Sequence, residues 1–248
     1  MSRLCVCLAL AFALIGGLQA RADAKQAAAI DASFAPERLG SATTMSLGFQ
    51  LTDGGRAPAA LSSMQIGFPV DLGLATSGLG VAPCSPGELE AVGPEACPAD
   101  SKMGSGSATV ELQLASETVK ENVSLEVFAV PSKDGYLHFV VYVSGVRPVF
   151  AQVLFPGVVL PGRLSVLVPP IPAFPEAPDI TTAQMRLTIG GHLTYYERVH
   201  GRLVAYHPAG VGLPNSCPQG GFPFSATFAF IGGAKEYART SVPCPRRR

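Results

Sequence analysis

Hydrophobicity alternates with a period of two through most of this chain, and that pattern restricts the fold more than any other feature. Met45, Leu47, Phe49 and Leu51 share one parity, with Ser46, Gly48 and Gln50 on the other. The same reading holds for Val110-Leu112-Leu114 against Thr109-Glu111-Gln113, and for Met185-Leu187-Ile189 against Gln184-Arg186-Thr188. Phe222, Phe224, Phe228 and Phe230 fall on one parity, interleaved with Ser225 and Thr227. Side chains alternate faces along a strand, so each run predicts a half-buried strand of an antiparallel sheet with one wet face. Leu137 to Val143 is apolar in both parities and predicts a central strand covered on both sides. Turn signals separate the runs at Asp53-Gly54-Gly55, Asp134-Gly135, Pro161-Gly162 and Gly232-Gly233. Many short strands without regular strand–helix alternation point to an all-β protein, an antiparallel β-sandwich.

One helix interrupts the pattern. Ser85 is placed to cap it, Pro86 suits the first helical position, and Glu88 completes an S-x-x-E capping box. Gly93 suits the left-handed residue that stops it. Barely two turns cannot stand alone in water. Cys84 and Cys97 bracket the segment, which therefore reads as a disulfide-stapled excursion between strands.

The compartment follows from the first 24 residues. Arg3 precedes an apolar and small-residue run from Leu4 to Leu18, and Ala22-Asp23-Ala24 supplies the A-x-A pattern of a cleaved signal peptide. Cleavage leaves a single domain over 25–248 with a basic tail at Arg246-Arg247-Arg248. Cys5 and Cys7 leave with the leader. Export makes Cys84, Cys97, Cys217 and Cys244 candidates for disulfides. Four cysteines allow three pairings, of which spacing favours Cys84–Cys97 with Cys217–Cys244. No C-x-x-C pair suggests a metal.

Charge is balanced, with 18 basic and 18 acidic residues. A near-neutral chain offers no field for nucleic acid or for an anionic membrane. The most apolar stretch after the leader, Val149 to Phe174, is broken by Pro156, Pro161, Arg163, Pro169, Pro170 and Pro172. It predicts two strands, Val149–Phe155 and Leu164–Val168, and no membrane span after signal removal.

Several long strings carry a resemblance: IDASFAPERLGSATTMSLGF from Ile30, CSPGELEAVGPEACPADSKMGSGSA from Cys84 and PVFAQVLFPGVVLP from Pro148. HLTYYERVHGRLVAYHP from His192 and CPQGGFPFSATFAF from Cys217 complete it. Through them the chain resembles an uncharacterised family of secreted proteins from high-GC actinobacteria. That likeness implies export; it implies no activity, ligand or site. An excess of Arg over Lys, with much Ala, Gly and Pro, also suits a GC-rich bacterial genome.

Motifs that carry chemistry are scarce. There is no G-x-S-x-G elbow, H-E-x-x-H, Walker loop or dinucleotide fingerprint. Gly104-Ser105-Gly106-Ser107 reads as a tight turn entering a strand rather than a phosphate cradle. Glu111 and Glu126 could approach across neighbouring strands as a glycosidase-like pair, although each occupies a polar position of its strand. The most varied cluster is His192, Tyr195, Tyr196, Glu197, His200, Tyr206 and His207. A hairpin of residues 192–199 and 202–209, turning at His200-Gly201, sets Tyr196 opposite Ala205 and Thr194 opposite His207. His192 then neighbours His207 diagonally, and Glu197 faces the other way. His192, Tyr196 and His207 are the candidate ligand-binding residues; no catalytic residue, metal or cofactor is expected. The expected function is a non-catalytic structural or binding role in the secreted or cell-envelope space, with an envelope polymer or glycan as partner. A carbohydrate-binding module and a secreted hydrolase are the alternatives, weakened respectively by the lack of Trp and of a catalytic motif.

Overall fold

The computed structural model describes residues 26–35, 37–74, 79–114, 117–147, 150–169, 180–190, 194–206 and 210–245. The expected leader, the basic tail and the Pro-rich segment 170–179 lie outside them. In chain order the first strands are β1 (Ala27–Ala35), β2 (Ala42–Thr52), β3 (Leu61–Gly67), β4 (Lys102–Leu114) and β5 (Glu117–Val130). β6 (Leu137–Gly145), β7 (Ala151–Leu160), β8 (Arg163–Leu167) and β9 (Thr181–Ile189) follow. β10 (Tyr195–Val199), β11 (Arg202–Tyr206), β12 (Val211–Gly212), β13 (Phe222–Phe230) and β14 (Lys235–Val242) complete the set.

One sheet takes nearly all of them, in the order β1-β2-β9-β4-β5-β6-β7-β8-β3-β13-β14, with β12 against β2. Every ladder is antiparallel, and the expected apolar parity points to one side throughout. Met45, Leu47, Phe49, Leu51, Leu187, Ile189, Phe222, Phe224, Phe228 and Phe230 are all buried in one core. The two ends of the path, β1 and β14, lie side by side and run the same way, with no ladder between them among the described residues. Ring contacts close that seam instead. Phe34 of β1 meets Phe222 and Phe224 of β13 at 5.5 and 6.0 Å, and Phe49 of β2 meets Phe228 at 5.0 Å. The two edge-on pairs, Phe34–Phe222 and Phe49–Phe228, add roughly 0.5–1.5 kcal/mol each beyond burial.

The antiparallel all-β class therefore holds, but among the described residues the two packed sheets expected of a sandwich do not appear. A single sheet curls into a nearly closed, barrel-like wall. Alternation says that one face of each strand is dry, and it is equally satisfied by a second sheet or by the far side of the same sheet. The residues that decide are in β4. Gly104 and Gly106, read from sequence as a turn, lie inside the strand on its inward parity. A Cβ on Gly106 would sit 2.1 Å from the carbonyl oxygen of Arg186, and one on Gly104 would sit 2.4 Å from that of Thr188. Bare backbone is needed here because β4 and β9 bend closely over one another, as at a barrel corner.

Both local disulfides form, Cys84–Cys97 and Cys217–Cys244. They place the protein in an oxidising, extracytoplasmic environment. The first staples α1 (Pro86–Ala91) to the outside of the barrel. Cys84 and Leu89 pack there on Phe128, Val140 and Tyr142, the outward residues of β5 and β6. This cover explains why β6 is apolar in both parities: Phe139, Val141 and Val143 face the interior. The capping box does not form. Ser85 is the N-cap residue but its side chain makes no capping bond, and α1 is held by Leu89 N–H to Ser85 O and Val92 N–H to Glu88 O. Packing fixes so short a helix, not its cap.

The apolar stretch gives the expected strand pair, with β7 running past Pro156 to Leu160. β8 pairs with β7 only from Gly157 onward, so Pro156 lies where β7 is an edge.

Candidate functional site

The inward faces of the strands enclose an apolar cavity of about 120 Å3. Val123, Leu125 and Val127 of β5 supply one wall, and Phe139, Val141 and Val143 of β6 continue it. Ala108, Met64, Met103 and Met185 come from other sectors. Aliphatic side chains predominate because each strand contributes only its apolar parity. Asp31 and Thr182 are the polar side chains among the described lining residues.

The two barrel ends differ. At the end where β4 begins, buried Phe68, Leu72, Leu74, Leu79, Val211 and Leu213 form a plug. Backbone bonds between Gly73 and Gly212, 2.8 and 3.2 Å long, tie the two loops of that plug together. At the other end the lining reaches the surface: Ile231, in the turn between β13 and β14, lines the cavity and is 43% exposed. Ala60, Val168 and Ile180 line the same end. Among the described lining residues the sole titratable side chain is that of Asp31, which is exposed. Among the described lining residues there is no Ser, Cys, His or Lys, and the apolar wall excludes water.

Away from the patch that α1 covers, this sector of the outside is polar. Ser46, Ser105, Ser107, Ser124, Ser144 and Arg186 are successive outward residues, paired across β2, β9, β4, β5 and β6. A barrel that spans a membrane presents its apolar band to lipid. In these five strands the apolar parity faces inward.

A polar groove of about 300 Å3 lies outside the barrel near the exposed end, lined by Gln50, Thr109, Gln184 and two ion pairs. Lys120 Nζ is 2.7 Å from the buried Glu111 carboxylate, and Arg56 is 3.2 Å from Asp53. Each charge is already answered within the protein. The suggested Glu111/Glu126 pair is not brought together. Glu111 lies opposite Lys120 while Glu126 lies opposite Ser105, six residues away along β4. That is about 20 Å of strand, well beyond the separation of a glycosidase pair. Glu126 binds Lys102 instead.

β10 and β11 form a separate two-stranded ribbon in the register read from sequence, with Tyr196 opposite Ala205. His200 and Gly201 at its turn have φ of 48° and 79°, the two left-handed residues of a tight hairpin turn whose twist matches the strands. Of the three candidate ligand-binding residues, His192 and His207 lie outside the described residues, and Tyr196 stands 63% exposed. Ribbon residues 198–205 are exposed as well. Among the described residues no three of His, Cys, Asp and Glu gather as a metal site.

Sequence reasoning missed the cavity. Its signals were the length of β4 and β5, the two inward glycines of β4, and methionines on inward parities. Compared with known proteins, the chain matches no family model, no curated protein and no solved structure.

Proposed function

We propose that the protein is exported through its N-terminal 24 residues and acts, without catalysis, as a binding protein for a small apolar molecule or acyl segment in the extracytoplasmic space of an actinobacterium. The observation that carries this reading is the enclosed aliphatic cavity that reaches the surface at Ile231 while the outer wall is polar. Dry apolar cavities of roughly this size accept ligands such as benzene. Met64, Met103 and Met185 line it, and unbranched thioether side chains can repack around a larger guest. Ligand pockets are concave, mostly apolar and largely preformed, which is the character of this interior. Glycan stacking has less support, since the Tyr196 side chain stands largely in water on its ribbon.

The test is binding of the neutral fluorophore N-phenyl-1-naphthylamine to the disulfide-bonded protein. Wild type should enhance its emission in a saturable way. Ala108→Leu, which fills the cavity from an inward position of β4, should weaken that binding about tenfold while the protein stays folded. Equal binding by both proteins, or none by wild type, would remove the cavity as the site.

A further inference from the structure

We propose that the rim of the barrel around Ile231 docks on an anionic phospholipid bilayer, from which the apolar ligand enters. The inference rests on the cavity reading above, and names where the ligand comes from. Three exposed apolar residues stand at this end beside Ile231. Val146 and Phe150 flank the turn between β6 and β7, 67% and 71% exposed, and Leu167 at the end of β8 is 60% exposed. In the sheet, β6, β7, β8, β3, β13 and β14 are consecutive, so these four residues follow one arc of the rim. The plugged end buries Phe68, Leu72 and Leu74, and the exposed apolar residues Val70 and Tyr136 there lie away from the cavity lining.

The arrangement is built. Glu121 points inward from β5 and is buried, and its Oε1 accepts a hydrogen bond of 3.0 Å from the backbone N–H of Arg147. Gly145 leaves room for it: a Cβ there would lie 2.7 Å from the same oxygen. A buried carboxylate thus pins Arg147 next to Val146; Val146 and Phe150 both stand in water, where their exposure has no folding advantage. The exposed charged residues at this arc are cations, while Glu236 beside them is half-buried. Arg147 lies between Val146 and Phe150, and Lys235 opens β14 beside the Ile231 turn; both are exposed. Apolar side chains set among cations suit the acyl–headgroup boundary of an anionic leaflet, where each group finds its preferred medium. Continuity supplies the second argument. Ile231 belongs both to the rim and to the cavity lining, so a chain leaving a bilayer at this arc meets the apolar interior without crossing water. β7 helps, because Ala151–Pro156 have no ladder partner on the β8 side among the described residues.

The experiment is co-sedimentation of the mature, disulfide-bonded protein with phosphatidylcholine vesicles, with and without phosphatidylglycerol. Wild type should associate with the anionic vesicles. Phe150→Ser should lower that association about tenfold, as expected when one buried aromatic side chain is lost. Arg147→Gln with Lys235→Gln should erase the preference for phosphatidylglycerol. Both variants should still bind the naphthylamine in solution, which separates the two readings. Naphthylamine binding without vesicle association would overturn the docking rim and leave the cavity reading standing. A concentration-dependent dimer abolished by Phe150→Ser, with no vesicle binding, would also overturn it, in favour of a second copy of the chain.

Discussion

The barrel interior and the β10–β11 ribbon divide the properties that a binding site needs. The interior has enclosure and almost no functional groups: Val, Leu, Met and Phe surround about 120 Å3, with Asp31 and Thr182 as its polar side chains. The ribbon has functional groups and no enclosure, with Tyr196, Arg198 and Arg202 all in water. Residue chemistry drew the sequence reading to the ribbon, whereas concavity places the candidate site in the barrel. The difference shows what desolvation adds. A hydrogen bond or ring contact made in open water gains little, since water competes for the same groups. An apolar guest in a dry cavity gains from every square ångström it covers.

Truncating one large side chain in each region should separate the two most strongly. Phe228 is fully buried and its ring meets Phe49. Phe228→Ala should lower unfolding stability by about 3–5 kcal/mol. Tyr196→Ala, on the ribbon, should change it by less than about 0.5 kcal/mol. Denaturant midpoints of the two variants measure both. Similar losses would mean that the ribbon is packed against something, and that the contrast between the regions is false.

Much of this interior was legible. The parity of Met45 to Leu51 and of Phe222 to Phe230 identified which side chains are dry, because a pleated strand leaves no other choice once one face is buried. The register of the ribbon was legible too, as His200-Gly201 admits one tight turn. What could not be read was the curvature. Whether Phe49 faces a second sheet or the far wall of its own sheet depends on the accumulated bend of many strands, and each strand contributes only a small, sequence-degenerate part. Gly104 and Gly106 carried the one local clue, but a G-x-G run is also a turn signal, and that reading wins when the strand partner is unknown. The capping box failed for a related reason. Ser85 and Glu88 have the right spacing, yet the Cys84–Cys97 bridge and Leu89 set the position of α1.

A smaller effect sharpens the boundary between inside and outside. The Cys84–Cys97 bridge closes a loop with a sequence separation of 13 on the outer wall. Replacing both cysteines by Ala should cost about 3 kcal/mol through the freed unfolded chain, in the entropic account of cross-links. Naphthylamine binding should persist, because the cluster of Cys84, Leu89, Phe128, Val140 and Tyr142 lies on the opposite side of the sheet from the cavity. Loss of binding in protein that remains folded would show that the excursion props the wall of the site, and that the two faces of β5 and β6 are not independent.

The smallest effect belongs to the turn between β5 and β6, where exposed chemistry can be examined alone. Asp134 has its carboxyl lowered from 3.8 to about 2, first by its hydrogen bond with His138 and then by the Tyr136 N–H and the Ser132 hydroxyl. The distances are 2.9 Å to His138 Nε2, 3.1 Å from Tyr136 N and 2.9 Å from Ser132 Oγ. Because the folded value lies below the ordinary one, the turn gains from ionised Asp134 above about pH 4. That gain is lost as pH falls toward 2. A carboxyl-detected NMR titration should find the midpoint near 2, and His138→Ala should raise it toward 3.8. Yet Asp134 is exposed, and solvent screening leaves such a pair little influence on the whole fold. The thermal midpoint of His138→Ala at neutral pH should therefore match wild type. A clear drop would mean that polar contacts in open water hold this barrel as its interior does, and the separation of enclosure from chemistry would fail.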